Sequence, residues 1–240
     1  MDLRKYKHEA EYSYTLGMAP TLELIQNQPQ CIDTVYVHPN YTPKDEKYNI
    51  FEVCQKAGLR CEVNKKVFDR LSMKGNVFVL GAFYKYENPV SDKRPHIVLV
   101  NPSDSGNLGT IIRTAVGFGF KDLVIIRPGV DLYDPKSIRS SMGALFHIRF
   151  SHFDSFEEYM EQFPQHQIYT FMLKGKHYLH DIHEKPNGPF SLVFGNEATG
   201  LPDRFLDYGE SVLIKHSGEI DSLNLSIAFG IAAHTFSQHQ

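Results

Sequence analysis

Apolar and polar positions alternate over short intervals in the first third of the chain. Residues 32–38 alternate with the period of a strand, and residues 45–57 follow a helical pattern that Gly58 ends. Further helices are predicted over 22–25 and 65–73, and further strands over 60–63 and 76–86. This alternation of strands and helices predicts a small α/β/α domain.

From residue 96 the predicted strands become continuously apolar. They cover 97–100, 123–126, 168–173, 191–194 and 211–214, with helices predicted over 108–118, 136–145, 156–163 and 223–236. Such runs are typical of a parallel sheet covered by helices on both faces. The second region therefore predicts an open α/β sheet, in which ligands bind at the carboxyl ends of the strands.

The stretch 87–95 contains two prolines among polar residues and has no periodicity, which indicates a linker. We therefore predict one domain over residues 1–89, a linker over 90–95 and a second domain over 96–240.

Composition excludes several classes of protein. Of 240 residues, 42% are hydrophobic and 22% charged, and no run approaches the about 20 apolar residues of a membrane span. The polar start lacks the apolar core of a signal peptide, so we expect a cytoplasmic protein without a membrane partner. The chain has three cysteines, and their spacing does not match that of a disulfide-stabilised scaffold, so we expect reduced thiols. Because the protein has a net charge of −3, a nucleic acid could bind it only at a local basic patch.

A first polar cluster follows the predicted strand 97–100 and contains Asn107 and Arg113, six positions apart, with Gly106 and Gly109. The glycines are expected to let the chain turn tightly. The cluster is no P-loop, because no Lys-Ser or Lys-Thr follows the second glycine, and it does not match Gly-x-Gly-x-x-Gly. A KH loop joins two helices, whereas this segment leaves a strand. Taken alone, this cluster is explained equally well as a glycine-rich strand-to-helix turn with a capping residue.

Two more clusters follow later strands. One is Gly195-Asn196-Glu197, with a carboxylate suited to bind backbone N–H groups, and the other is Ser222-Leu223-Asn224. Taken singly, both are ordinary caps, and we predict that Ser222 or Asp221 caps the last helix. In a parallel sheet all three clusters converge on one edge.

In this order and spacing the clusters resemble the motifs of the SpoU/TrmH branch of the SPOUT superfamily, RNA methyltransferases that use S-adenosylmethionine. The match covers residues 97–236. The segment Arg139-Ser-Ser-Met-Gly143 also resembles the Arg-x-Ser-x-Gly stretch of part of that family. Asp104 and Lys215 depart from the family pattern, and Lys215 adds a candidate RNA contact.

The resemblance implies a trefoil-knotted parallel-sheet domain preceded by a small RNA-binding domain. It also implies a homodimer in which the catalytic arginine acts next to the partner's cofactor site. The cofactor, S-adenosylmethionine, would be held largely through backbone groups of the matching positions Leu173, Gly195, Ile214 and Leu223.

For catalysis, the resemblance places Arg113 at the RNA phosphate and the ribose 2'-hydroxyl. A guanidinium is scarcely deprotonated in proteins, so we favour phosphate anchoring over proton abstraction. The residues that would hold the arginine, the ribose and the loops are Asn107, Glu197, Ser222 and Asn224. The expected activity is methyl transfer to a 2'-hydroxyl of rRNA or tRNA, with DNA excluded. A non-catalytic RNA-binding or ribosome-assembly factor, or a methyltransferase acting on a base, remain alternatives.

Two further patterns are ambiguous. Lys66, Arg70 and Lys74 recur every four residues on one predicted helix, which is either a solvated face or, with Arg139, a basic patch for RNA. His177, His180 and His183 have a spacing too weak to predict zinc without cysteines, and we expect no metal.

Overall fold

The computed structural model of the chain describes residues 3–43, 49–71, 77–184 and 186–238. The chain forms two compact units, Met1–Tyr86 with Asp131–His147, and Glu87–Val130 with Ile148–Gln240. Segment 131–147 thus belongs to the first unit although it lies within the range predicted for the second domain. The predicted linker 90–95 is part of the second unit. Within the described ranges, no helix is long and apolar enough to cross a membrane.

The first elements in chain order are β1 (Tyr12–Tyr14), α1 (Met18–Asn27), β2 (Ile32–Val37), α2 (Ile50–Lys56), β3 (Cys61–Val63), α3 (Lys65–Arg70) and β4 (Val79–Tyr84). They are followed by β5 (His96–Val100), α4 (Ser105–Gly117), β6 (Asp122–Ile126), α5 (Pro135–Ser140), β7 (Arg149–Phe153), α6 (Phe156–Gln162), β8 (Gln167–Phe171), β9 (His177–Tyr178), β10 (Phe190–Phe194), β11 (Glu210–Leu213) and α7 (Leu225–Ser237).

The first unit is built on a sheet of order β1-β4-β2-β3, in which β2 and β3 are parallel and the other neighbours antiparallel. Segment 131–147 joins this unit through buried contacts. The Ser13 hydroxyl donates to the Tyr133 carbonyl at 2.6 Å, and the Phe83 ring contacts the rings of Tyr133 and Phe146. Apolar periodicity alone could not show that segment 131–147 belongs to the first unit, because its placement depends on contacts between residues far apart in sequence.

The second unit is built on a sheet of order β7-β6-β5-β10-β8-β11-β9 with every neighbouring pair parallel. Every residue of β5, β6 and β10 is buried, because helices cover both faces. On one face Val98 and Val124 pack with α6, and on the other Ile97 and Leu123 pack with α4. The α/β fold with a parallel sheet is confirmed, whereas the trefoil knot stays a prediction.

Some predicted elements are wrong in detail. The predicted helix 136–145 ends at Ser140, and a 3-10 turn over Ala144–His147 follows. Between them Met142 and Gly143 have φ angles of 54° and 88°, which a right-handed helix does not allow. Strands β7 and β9 were not predicted, because β7 carries polar residues at a sheet edge and β9 has only two residues.

A buried histidine lies at the amino end of the central strand β5. The His96 ring contacts the Tyr159 hydroxyl at 2.9 Å and the Ser91 carbonyl at 2.8 Å, and it lies against the His166 ring. Burial, reinforced by the neighbouring His166, lowers the pKa of His96 to about 4. His96 is therefore neutral at physiological pH, donating from Nε2 to the Ser91 carbonyl and accepting the Tyr159 hydroxyl proton.

We expect His96 to make the fold less stable in acid. An unfolded histidine takes up a proton near pH 6.5, whereas the folded one does so only near pH 4, so stability falls as the pH drops through that window. The slope from one such group is at most about 1.4 kcal/mol per pH unit. His96→Gln removes this slope, so its melting temperature should fall less than that of the unaltered protein between about pH 7 and pH 5. An equal fall in both proteins would contradict this assignment.

Candidate active site

A cleft of about 430 Å³ lies at the carboxyl ends of β8, β10 and β11. The turns that follow these strands supply most of its walls, together with the start of α7. All four residues expected to hold a cofactor line it, namely Leu173, Gly195, Ile214 and Leu223. The structure therefore brings together positions that are up to 50 residues apart in sequence, and the volume suits a small organic ligand.

The turn after β10 is held by its own backbone and by Asn196. The Asn196 side-chain oxygen accepts from the Ala198 N–H at 2.9 Å, and its carbonyl accepts from the Gly200 N–H at 2.9 Å. Gly200 has a φ of 66°, a conformation that suits glycine. Gly195 lies so close to the backbone of Gly200 and Leu201 that a β-carbon would clash with it. The cleft wall is thus backbone packed on backbone.

Glu197 links this turn to the loop after β5. Its carboxylate accepts from the Ser103 hydroxyl at 2.7 Å, and from the backbone N–H groups of Ser103 and Asp104, both at 3.1 Å. Partial burial raises the pKa of Glu197, but these hydrogen bonds outweigh it and hold the pKa below its usual value. Glu197 is therefore ionised at neutral pH, and its carboxylate holds the loop after β5 through these hydrogen bonds.

Asn107 connects Glu197 to the last helix. Its side-chain amide lies 3.5 Å from a Glu197 oxygen, and its oxygen accepts from the Asn224 side chain at 3.1 Å. Asn224 in turn caps α7 by accepting from the Ser226 N–H at 2.9 Å. The predicted cap at Ser222 or Asp221 is wrong, because the chain enters the helix two residues later. The three motif loops are thus joined in one hydrogen-bonded chain.

The glycines of the first motif do not make a tight turn. Gly106 and Gly109 both lie inside α4, which begins at Ser105. The turn is formed by residues 101–104, and Asp104 caps the helix by accepting from the Asn107 N–H at 2.7 Å. Asp104, noted as a departure from the family pattern, is therefore a structural cap.

Arg113 and Ser222 lie outside this hydrogen-bonded chain. Ser222 lines the cleft, whereas Arg113 is exposed on α4, and among the described residues its guanidinium forms no hydrogen bond or ion pair. An exposed guanidinium without an intramolecular partner is available to bind an anion that approaches from solution.

Sequence reasoning missed Asn101 and Ser103. Asn101 has a φ of 54°, and this left-handed conformation directs its carbonyl to the Asn196 side chain at 2.7 Å. Ser103 supplies two of the hydrogen bonds to Glu197. An asparagine directly after a buried strand is a usable signal, because asparagine tolerates this conformation better than most residues.

The described residues of the predicted basic patch belong to the first unit, whereas Lys215, another candidate RNA contact, belongs to the second. Lys66 and Arg70 are exposed on α3, and Arg70 donates to the Leu3 carbonyl at 3.4 Å. Arg139 is exposed on α5, and Lys74 lies outside the described residues. Within the described part of the chain, no group of histidine, cysteine or acidic side chains is arranged to hold a metal ion.

The cleft carries charges of both signs. Glu197, Asp203 and Asp221 contribute carboxylates to its lining, and Lys174 lies 2.8 Å from Asp203. Apolar side chains such as Leu223 and Ala228 form the rest of the wall. A ligand that combines a flat apolar ring with positive groups and a carboxylate matches such a lining.

The chain is similar in sequence to known methyltransferases. Residues 94–234 match the SpoU rRNA Methylase family. A protein of Listeria monocytogenes named "Putative tRNA (cytidine(34)-2'-O)-methyltransferase" is 34% identical over 149 residues, which cover 60% of this chain and 88% of the relative. A 23S rRNA (uridine(2479)-2'-O)-methyltransferase of Streptomyces viridochromogenes is 32% identical over 148 residues, or 58% of this chain and 51% of that protein.

A solved structure extends the likeness to both units. The crystal structure of an AdoMet-bound rRNA methyltransferase from Sinorhizobium meliloti superposes with a TM-score of 0.78 at 25% sequence identity. The superposition covers 95% of this chain and 88% of that protein.

The close approach at Gly195 makes a direct prediction. In Gly195→Ala the new methyl group must displace the backbone of Gly200 and Leu201, which costs about 1–3 kcal/mol and lowers the melting temperature by about 3 to 10 °C. Gly218→Ala is the matched control, because its methyl group meets nothing within 4 Å, and its melting temperature should stay within about 1 °C. Equal melting temperatures for the two variants would show that the turn is not packed as described.

Proposed function

Because the chain belongs to the SpoU rRNA methylase family, we propose that it transfers a methyl group from S-adenosylmethionine to a ribose 2'-hydroxyl of tRNA or rRNA. One observation carries this proposal: the four positions expected to hold the cofactor line a single cleft, and the three motif loops around it are joined through Glu197, Asn107 and Asn224. The names of the Listeria and Streptomyces relatives describe 2'-O-methyltransferases of tRNA and of 23S rRNA.

The cleft suits S-adenosylmethionine on chemical grounds. Its apolar side chains match an adenine ring, and its carboxylates match the positive sulfonium and ammonium groups. When bound, the cofactor supplies an activated methyl group on a positively charged sulfur. Leu173, Gly195, Ile214 and Leu223 would hold it, largely through the closely packed turns that they belong to.

The protein's own residues bind and orient the RNA. A guanidinium is a poor general base, so Arg113 anchors a phosphate and aligns the ribose rather than removing the hydroxyl proton. Glu197 is already occupied by the loop after β5, and it keeps Asn107 and the start of α4 in place. Ser222 and Asn224 complete the rim on the side of α7. Alignment of this kind supplies much of the rate acceleration when two reactants must meet in one orientation.

We also propose that the protein acts as a homodimer in the cytoplasm. Ile227 and Ile231 lie one turn apart on α7 and are 55% and 40% exposed, an apolar stripe that a second copy would bury. In such a dimer Arg113 of one copy would act beside the cleft of the other. Lys66, Arg70 and Arg139 on the first unit are candidates to hold the rest of the RNA.

The role of Arg113 is tested by removing it. We expect Arg113→Ala to lower methyl transfer to bulk tRNA or rRNA at least about a hundredfold, because a charge-stabilising group is lost. Its affinity for S-adenosylmethionine, measured by isothermal titration, should stay within about twofold. A twofold change is small, because a loss of about 1.4 kcal/mol of binding free energy would already lower the affinity tenfold. Arg94→Ala is the control, since Arg94 is also exposed but precedes β5, near the amino ends of the strands and away from the cleft at their carboxyl ends. Loss of cofactor affinity in Arg113→Ala would contradict this division of roles.

A further inference from the structure

An exposed aromatic pair lies at the edge strand β9, with Tyr178 at the end of the strand and His180 in the 3-10 turn that follows it. Tyr178 is 42% exposed, and the His180 ring stacks on it with centroids 5.2 Å apart and planes inclined by 18°. The Lys215 ammonium lies 5.8 Å from the centroid of the Tyr178 ring. Neither aromatic residue contributes to the site described above, and a tyrosine that is so exposed adds little to the core.

The pair is placed next to the cleft by the register of the sheet. Tyr178 is directly opposite Leu213 of β11, and Leu213 lines the cleft. Neighbouring strands are about 4.8 Å apart, so the backbone of Tyr178 lies one strand spacing from the backbone of Leu213. Lys215 follows β11 at the same edge. This surface is therefore within reach of a nucleotide next to the ribose that would react at the mouth of the cleft.

The charges around the pair favour stacking as the main interaction. Lys174 is paired with Asp203 at 2.8 Å and Lys176 with Asp207 at 3.7 Å, which neutralises both lysines. Lys215 forms no ion pair with any residue that the structure describes, so it remains available for one phosphate. Asp181 lies 3.6 Å from His180 and limits the positive charge further. A purely electrostatic patch would not be arranged in this way.

We propose that Tyr178 and His180 form a stacking platform for an unpaired base of the substrate RNA, with Lys215 binding an adjacent phosphate. Single-stranded RNA is commonly recognised by bases that stack on exposed aromatic rings, and every base offers a face for this contact. The platform would hold a nucleotide next to the one that is methylated. This inference rests on the proposed function for its biological meaning, but the binding surface is testable by itself.

The test uses the full chain and a labelled oligo(A) RNA of roughly a dozen nucleotides, with a duplex RNA of the same length for comparison. Fluorescence anisotropy gives the dissociation constant at several salt concentrations. Tyr178→Ala should weaken binding of the single strand roughly five- to a hundredfold without changing its salt dependence, and it should leave duplex binding unchanged. Tyr178→Phe keeps the ring and should bind like the unaltered protein. Lys215→Ala should reduce the logarithmic salt slope by about 0.7.

Three outcomes would overturn the proposal: an unchanged affinity of Tyr178→Ala for the single strand, an equal loss of affinity for the duplex, or a comparable loss of affinity for S-adenosylmethionine. Titration of Tyr178→Ala with S-adenosylmethionine should match the unaltered protein, and a comparable loss there would show that the ring supports the cleft instead. Methyl transfer to bulk tRNA and rRNA by the unaltered protein is measured in parallel. That readout tests the proposed function separately, because transfer can occur normally while the binding results reject the platform.

Discussion

The Glu197 carboxylate is the contact on which the site depends. It binds two backbone N–H groups and one hydroxyl of the loop after β5, and through Asn107 it reaches Asn224 at the start of α7. These loops leave different strands of a parallel sheet, and nothing in the strand pairing itself fixes their positions relative to one another. A carboxylate that stays ionised provides several charge-assisted hydrogen bonds at once, so the loops form one rigid rim.

The glycines at the site do not serve to make the tight turn that the sequence predicted. Gly106 and Gly109 lie in the first turns of α4, where a β-carbon at Gly106 would come within 3.0 Å of the Asp104 carboxylate that caps the helix. Gly195, by contrast, is required because the backbone of Gly200 and Leu201 occupies the space of a side chain. The cleft therefore owes its shape to backbone turns packed against each other, which is suited to binding a cofactor through main-chain groups.

The sequence predicted the parallel sheet and most of the residues that form the rim of the cleft. The apolar runs at 97–100, 123–126 and 191–194 predicted buried parallel strands, since only a sheet covered on both faces accepts such runs. It missed the inclusion of segment 131–147 in the first unit, which depends on long-range contacts of Phe83 and Ser13. It also missed Asn101, whose role comes from an unusual backbone angle, and it placed the cap of α7 too early. Both are decided by local geometry that periodicity does not contain.

The central claim is that this chain methylates a ribose of tRNA or rRNA, and mapping 2'-O-methylation at nucleotide resolution tests it most directly. RNA would be compared from cells that have the protein, lack it, or lack it and carry the gene on a plasmid. The account predicts that at least one ribose methylation in tRNA or rRNA disappears with the gene and returns with the plasmid. Identical ribose methylation in all three samples, or the loss of a base methylation instead, would contradict it.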